Sequence, residues 1–149
     1  MDKKQIINDL LVDLFNRILR IEEDALKNSG VKLSMTEVHV LEAIEQSENK
    51  AMSDVANKLN VTLGTLTTSV NGLIRKGYVN KKQNHTDRRV YNLSLTDNGL
   101  NVLTIHDRFH HEMIQSLIDD LMVDEDEVLI TSLQNISNYF KNIDEKQRR

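Results

Sequence analysis

Short polar side chains and one arginine recur within residues 62–75, and their chemistry suits contact with nucleic acid. The apolar residues of this stretch follow helical spacing, which predicts a helix with one buried face. The opposite face carries Gly64, Thr65, Thr68, Asn71 and Arg75. Hydroxyl and amide groups reach base edges when a helix lies in a major groove, and a long cation reaches phosphates. The stretch therefore predicts a recognition helix that is capped by Thr62.

A predicted hairpin follows this helix. Gly77 suits the left-handed conformation that ends many helices. Residues 78–83 and 89–95 then alternate apolar with polar side chains, which is strand periodicity, around a polar tip. A short helix, a turn, a recognition helix and a hairpin together predict a winged helix-turn-helix, in which the first helix braces the second against DNA.

Positive charge is concentrated in the same stretch. Residues 62–89 have a net charge of +5, whereas the whole chain has a net charge of −4. Such a local excess of cations is typical of a surface that neutralises phosphates, although a solvated basic surface is the alternative. The cations are Arg75, Lys76, Lys81, Lys82, Arg88 and Arg89.

The histidines offer a second possible chemistry. His106 and His110 are one helical turn apart, and Glu22 and Glu23 lie in the first predicted helix. Two imidazoles on one helical face and a carboxylate can bind zinc. A buried contact between carboxylate and imidazole that ties two parts of the protein together, and contact with an effector, are the alternatives.

The composition excludes several other classes of chemistry. The chain has 149 residues and no cysteine, so disulfides, thiolate metal sites and cysteine-based redox sensing are excluded. Its five glycines form no phosphate-binding loop, and no serine or pair of carboxylates stands in a recognisable catalytic arrangement. We therefore expect no enzymatic activity. No apolar run approaches the ~20 residues that span a bilayer, so we expect a cytoplasmic protein.

Long predicted helices frame the recognition helix and the hairpin. The first extends from Lys3 to about Asn28, and its apolar residues cover more of its circumference than one small domain would bury, so we expect a partner chain. The last two extend from Thr96 into a tail that we expect to fray from Lys146. The predicted fold is mainly α with a small β-wing. A single domain combines an N-terminal dimerisation helix (residues 1–34), a DNA-binding lobe (35–96) and C-terminal dimerisation helices (97–149).

The chain resembles the MarR family of bacterial transcription regulators over nearly its whole length. The resemblance is carried by the helix-turn-helix at residues 54–62, the helix end at 73–79, the wing at 87–89 and the segment after the wing at 95–99. Within the family, the chain is most similar to the repressors of fatty-acid synthesis. Residues 21–23, 61–69, 87–90 and 108–110 carry this closer match. Ala51 is a departure, because the family usually has a hydroxyl N-cap there.

The resemblance implies a homodimeric repressor that binds an AT-rich inverted repeat and takes long-chain acyl-acyl carrier protein as its corepressor. In that arrangement Arg88 or Arg89 would enter the minor groove, which is narrow in AT-rich DNA and attracts arginine. Asp87 would orient a neighbouring arginine, or serve only as a turn residue. The full set of expected DNA contacts is Thr62, Gly64, Thr65, Thr67, Thr68, Asn71, Arg75, Lys76, Arg88 and Arg89.

The effector and the metal remain open at this point. An acyl chain needs an apolar cavity, although residues with this spacing also suit an ordinary core. The candidates for lining it are Phe15, Leu19, Leu41, Phe109, Met113 and Leu117. No metal is favoured, but zinc-responsive relatives have histidines at what look like the positions of His39, His106 and His110, which with Glu22 form the alternative zinc site. A zinc-responsive regulator, a regulator of another small-molecule response and a winged helix that has lost DNA binding are the alternative functions.

Overall fold

A computed structural model describes residues 2–147 of the chain. The chain divides into two compact units, Met1–Phe109 and His110–Arg149. The first unit contains four helices, a hairpin and the start of a fifth helix. These elements are α1 (Lys3–Asn28), α2 (Met35–Gln46), α3 (Met52–Leu59), α4 (Leu63–Arg75), β1 (Val79–Gln83), β2 (Tyr91–Leu95) and α5 (Asp97–Leu121), and α5 continues into the second unit.

Local sequence signals begin and end the helices that lead to the recognition helix. At the start of α2, the Ser34 hydroxyl accepts from the Glu37 backbone N–H, and the Glu37 carboxylate accepts from the Ser34 backbone N–H. This is the predicted capping box. Ala51 makes no side-chain cap for α3. After α4, Gly77 adopts a φ of +86°, a left-handed conformation that favours glycine.

A single hydrophobic core holds α2, α3, α4, the hairpin and the start of α5 together. Its fully buried members include Leu41 and Ile44 of α2, Leu73 of α4 and Val102 of α5. Leu26, near the end of α1, belongs to the same core. The first turns of α5 therefore pack with the DNA-binding lobe. For this reason the boundary between the compact units lies after residue 109.

The wing is a two-stranded antiparallel sheet. Its register pairs Val79 with Leu95 at the base and Gln83 with Tyr91 near the tip. The segment before α3 adds to this sheet, because the Lys50 carbonyl accepts from the Leu93 backbone N–H at 2.7 Å. The wing is therefore attached to the helix-turn-helix through its backbone.

The second unit contains the rest of α5, a 3-10 turn at Val123–Glu125 and α6 (Glu127–Gln147). Met122, at the junction, has a left-handed φ of 50°. No residue of α6 is buried, although the helix carries the predicted apolar residues. Helix α6 continues through Gln147, beyond the position where fraying was expected, and Arg148 and Arg149 lie outside the described residues.

None of the helices described within residues 2–147 is long and apolar enough to cross a membrane.

Candidate nucleic-acid interface

The polar face of α4 is accessible to a ligand. Thr62, Gly64, Thr65, Thr68 and Asn71 are all exposed. On the other face of the helix, Leu66, Val70 and Leu73 are buried. The Thr62 hydroxyl caps the helix by accepting from the Thr65 backbone N–H at 3.1 Å. The face predicted to contact DNA thus belongs to a helix whose opposite face packs in the hydrophobic core.

The threonine hydroxyls of this face are partly committed to the helix itself. Thr67 donates to the Leu63 carbonyl at 2.8 Å, and Thr68 donates to the Gly64 carbonyl at 3.2 Å. Each hydroxyl oxygen can still accept a hydrogen bond. Thr67 is half-buried and Thr68 exposed, so Thr68 is the better placed of the two to accept from a base or a sugar.

The two cations at the end of α4 have different environments. Lys76 donates to the Glu37 carboxylate at 2.7 Å, which ties the end of α4 to the start of α2. Within the described residues, no carboxylate lies at ion-pairing distance from Arg75, which is exposed. Arg75 is therefore available to a phosphate, whereas Lys76 already forms an ion pair with Glu37.

The environment of Glu37 favours its ionised form. Burial of the carboxyl raises its pKa, but the hydrogen bond from Lys76, the backbone hydrogen bond from Ser34 and the charge of Lys76 together outweigh burial. The net effect is a pKa below the usual value of Glu37. The carboxylate thus serves the α2 cap and the link to α4 at once.

The tip of the wing is organised by two short side chains. The Asn84 side-chain oxygen accepts from the backbone N–H groups of Thr86 and Asp87, at 2.8 and 3.1 Å. Asp87 in turn accepts from both Nε and Nη2 of Arg89, at 3.1 and 3.2 Å. These hydrogen bonds, with one from the Arg89 backbone N–H, hold the pKa of the Asp87 carboxyl below its usual range. Asp87 therefore fixes the direction of the Arg89 side chain.

Arg88 differs from Arg89. Its backbone carbonyl accepts from the Gln83 side chain at 2.7 Å, which anchors the backbone of the tip. Its side chain is exposed, and no carboxylate within the described residues lies at ion-pairing distance from it. The wing thus presents one oriented and one unrestrained arginine.

An open cavity of about 200 Å³ lies between α3, α4 and the wing. Thr67 of α4 and Lys81 and Arg89 of the wing line it. Lys81 also lies over the Tyr91 ring, with Nζ 4.8 Å from the ring centroid. The recognition helix and the basic wing therefore form one continuous surface.

Two of the four residues of the expected zinc site lie together in the first unit. Glu22 and His106 are buried next to each other in the first unit, with Glu22 Oε1 3.6 Å from His106 Nε2. His39 is exposed and instead lines a cavity with Thr65 and Ser69 of α4. His110 lies in the second unit.

Two carboxylates beside His106 were missed by the sequence analysis. Glu42 Oε1 lies 3.1 Å from His106 Nδ1, and Asp107 lies close to both. Asp107 directly follows His106 and could have been noticed from the sequence. Glu42 is distant in sequence, so only the packing of α2 against α5 places it there.

The residues expected to line an acyl cavity have different environments. Leu41 is completely buried in the core, whereas Phe15 is 62% exposed. Leu19 and Phe109 are half-buried in the first unit, and Met113 and Leu117 belong to the second unit. Three open cavities among the described residues of the first unit are lined by other residues.

Comparison with known proteins gives matches over most of the chain. The MarR family profile matches residues 33–91. The crystal structure of Streptococcus pneumoniae FabT in complex with DNA is 36% identical, with a TM-score of 0.86, and the match covers 95% of this chain and 99% of that one. The HTH-type transcriptional regulator SarZ of Staphylococcus haemolyticus is 29% identical over 109 residues, 72% of this chain and 73% of the relative.

A more distant structure has the same fold. Staphylococcus aureus MarR, solved in complex with salicylate and kanamycin, is 15% identical, with a TM-score of 0.76 over 96% of this chain and 93% of that one.

Proposed function

The chain belongs to the MarR family of transcriptional regulators, and we propose that it is a repressor of fatty-acid synthesis genes that takes long-chain acyl-acyl carrier protein as its corepressor. It is a regulator and not an enzyme. The observation that carries the proposal is the continuous surface of α4 and the wing, on a chain similar to FabT, which was solved with DNA.

The recognition helix would read the major groove. Asn71 has the amide that pairs with the N6 and N7 edge of adenine, and Thr65 and Thr68 have hydroxyls short enough for base or sugar contacts. Arg75 would contact a phosphate, since its side chain is exposed at the end of α4. This division of roles assigns sequence preference to Asn71 and salt-dependent affinity to Arg75.

The wing would follow the adjacent minor groove. Arg88 is the unrestrained cation of the tip, and Arg89 is held by Asp87 through two side-chain hydrogen bonds. An arginine whose direction is fixed loses less side-chain entropy on entering a groove. A narrow, AT-rich minor groove has the enhanced negative potential that favours such an insertion.

The regulator would act as a homodimer on an inverted repeat. Each compact unit has large exposed apolar side chains, including Leu10 and Phe15 on α1 and Leu133 and Phe140 on α6. Apolar surface of this extent on a helix is normally covered, and a second copy of the chain would cover it. Two recognition helices could then enter major grooves one helical turn apart, ~34 Å along the DNA.

The proposal is tested by fluorescence anisotropy of a labelled AT-rich inverted repeat titrated with the protein. The titration is done in EDTA, with long-chain acyl-acyl carrier protein, with the unacylated carrier, and with neither. We expect binding in all three conditions and tighter binding only with the acylated carrier. Equal affinity in all three would contradict the corepressor, and operator binding that requires added zinc would replace it with a metal effector.

A control for DNA binding itself uses the wing. The double variant Arg88→Ala plus Arg89→Ala should lose most of its operator affinity. Unchanged affinity in that variant would favour a winged helix that does not use this surface for DNA.

A further inference from the structure

His106 lies between two carboxylates inside the first unit. It is 3% exposed, its Nε2 faces Glu22 Oε1 of α1 at 3.6 Å, and its Nδ1 faces Glu42 Oε1 of α2 at 3.1 Å. Glu22 is itself only 5% exposed. The imidazole thus lies between the two carboxylates, with its Nε2 edge toward Glu22 and its Nδ1 edge toward Glu42.

A third carboxylate completes this edge. A ring nitrogen of His106, a carboxylate oxygen of Glu42 and one of Asp107 all lie within 4.8 Å of one another. Asp107 is exposed and the Glu42 side chain is 30% exposed, so this edge of the cluster is open to solvent. An ion could enter from that side without opening the core.

The charges at this edge are not balanced by cations of the described residues. No lysine or arginine between residues 2 and 147 ion-pairs with Glu42 or Asp107. Two carboxylates that share one site repel each other. A divalent cation would remove that repulsion and would neutralise the pair.

We propose that Glu42, His106 and Asp107 bind a divalent transition-metal ion, with Zn²⁺ as the best fit. Zinc takes imidazole nitrogen and carboxylate oxygen at ~2.0–2.2 Å, so two ligands of a tetrahedral ion lie ~3.3 Å apart. The 3.1 Å between His106 Nδ1 and Glu42 Oε1 is close to that separation. Water completes the coordination on the exposed side.

Glu22 has a different task in this site. With Nδ1 on the metal, the imidazole carries its hydrogen on Nε2, which faces the buried Glu22 carboxylate. A carboxylate that accepts from the second nitrogen of a metal-binding histidine fixes its orientation and makes it a better ligand. Glu22 is therefore a positioning residue. This site differs from the zinc site expected from the sequence, because it uses Glu42 and Asp107 and needs neither His39 nor His110.

The test is a competition titration of Zn²⁺ between the purified full-length protein and a chromophoric chelator, without DNA. Its outcome is therefore independent of the proposed repressor function. The variants are Asp107→Asn and Glu42→Gln, which change exposed or half-buried side chains and should leave the fold intact. The matched control is Asp120→Asn, an exposed carboxylate on the same helix.

We expect one Zn²⁺ per chain and at least ~10-fold weaker binding in both variants, with no change in the control. Glu22→Gln should weaken binding ~10-fold while far-UV circular dichroism stays unchanged. Mg²⁺ in place of Zn²⁺ should not compete, because imidazole disfavours it. Absence of stoichiometric binding overturns the proposal. Binding that survives both variants and is lost in His110→Gln overturns it too, because the ion would then use the histidine set.

Discussion

Asn71 and Arg75 lie on the same exposed face of α4 but would act on DNA in different ways. Arg75→Ala should weaken binding to all duplexes about equally and lower the slope of log affinity against log salt by about one, because one phosphate contact is lost.

Asn71→Ala should instead reduce the preference for the operator by about 1–3 kcal/mol, the range for one bidentate base contact. Anisotropy with operator and scrambled duplexes at several salt concentrations measures both effects.

Asn101→Ala is the control for both variants, since Asn101 has an exposed side-chain amide on α5, away from the recognition helix. Its salt slope and discrimination should be those of the wild type. Wild-type discrimination in Asn71→Ala would remove Asn71 from the set of base-reading residues.

The sequence predicted these residues well where their positions depend on local rules. Helical spacing separated the buried and exposed faces of α4, and both the Thr62 cap and the left-handed Gly77 lie where expected. Local spacing also brought Asp87 and Arg89 together. The contacts of Lys76 with Glu37 and of His106 with Glu42 could not be predicted in this way, because they depend on packing between helices.

Glycine at position 99 is required by the contact between α5 and the base of the wing. A Cβ there would clash with the Tyr78 carbonyl oxygen and lie 3.2 Å from the Leu95 Cβ. The backbone oxygen cannot move without shifting β1, so Gly99→Ala should destabilise the fold by about 1–3 kcal/mol. Chemical denaturation of the wild type and the variant measures this loss.

Gly64→Ala provides the opposite case in the same protein. Nothing lies within 4 Å of a Cβ at this exposed helical position. The substitution should stabilise the fold by up to about 1 kcal/mol, because alanine is the better helix former. Equal effects of the two substitutions would contradict the steric argument for Gly99.

The link between α2 and α4 should make stability depend on pH. The pKa of Glu37 is lowered in the folded state, so its contribution is fully present above its usual value of 4.5 and is lost as pH falls through the lowered folded value. Glutamine can still form the capping box, so Glu37→Gln removes chiefly the charge. We expect the variant to be less stable by about 0.5–1.5 kcal/mol at pH 7.

The difference between wild type and Glu37→Gln in free energy of unfolding should shrink as pH falls below 4.5. Denaturant titrations at several pH values measure it. Glu45→Gln is the control, because Glu45 pairs with Lys50 at a longer 3.4 Å on an exposed surface. A difference that stays constant down to low pH would show that the Glu37 carboxylate contributes nothing through its charge.

Helix α5 belongs to both compact units. The amphipathic pattern of α5 is continuous, so nothing in the sequence marks the point where its contacts change. The structure buries Val102, Leu103 and His106 in the first unit, whereas the later turns of the helix belong to the second. Periodicity shows that a helix has an apolar face but does not say which element covers each turn.

At the scale of the whole molecule, the exposed apolar side chains of α6 predict assembly. Phe140 is 52% exposed and Leu133 is 53% exposed, on a helix with no buried residue. Full burial of one such side chain is worth about 1.5–3 kcal/mol, so a glutamate at position 140 would oppose association strongly. If the chain forms the proposed homodimer, Phe140→Glu should convert it to monomer in size-exclusion chromatography with light scattering and should lower operator affinity.

Asn138→Glu adds the same charge to the side of α6 opposite Phe140 and should leave both the proposed dimer and the operator affinity unchanged. The comparison also separates assembly from folding, because both variants should keep the wild-type helical circular dichroism. A monomeric Phe140→Glu protein with full operator affinity would mean that one chain suffices for recognition. A dimer that contacts both half-sites of the inverted repeat must bind more tightly than a monomer on one half-site. Full affinity of the monomer would therefore show that the second half-site adds nothing to binding.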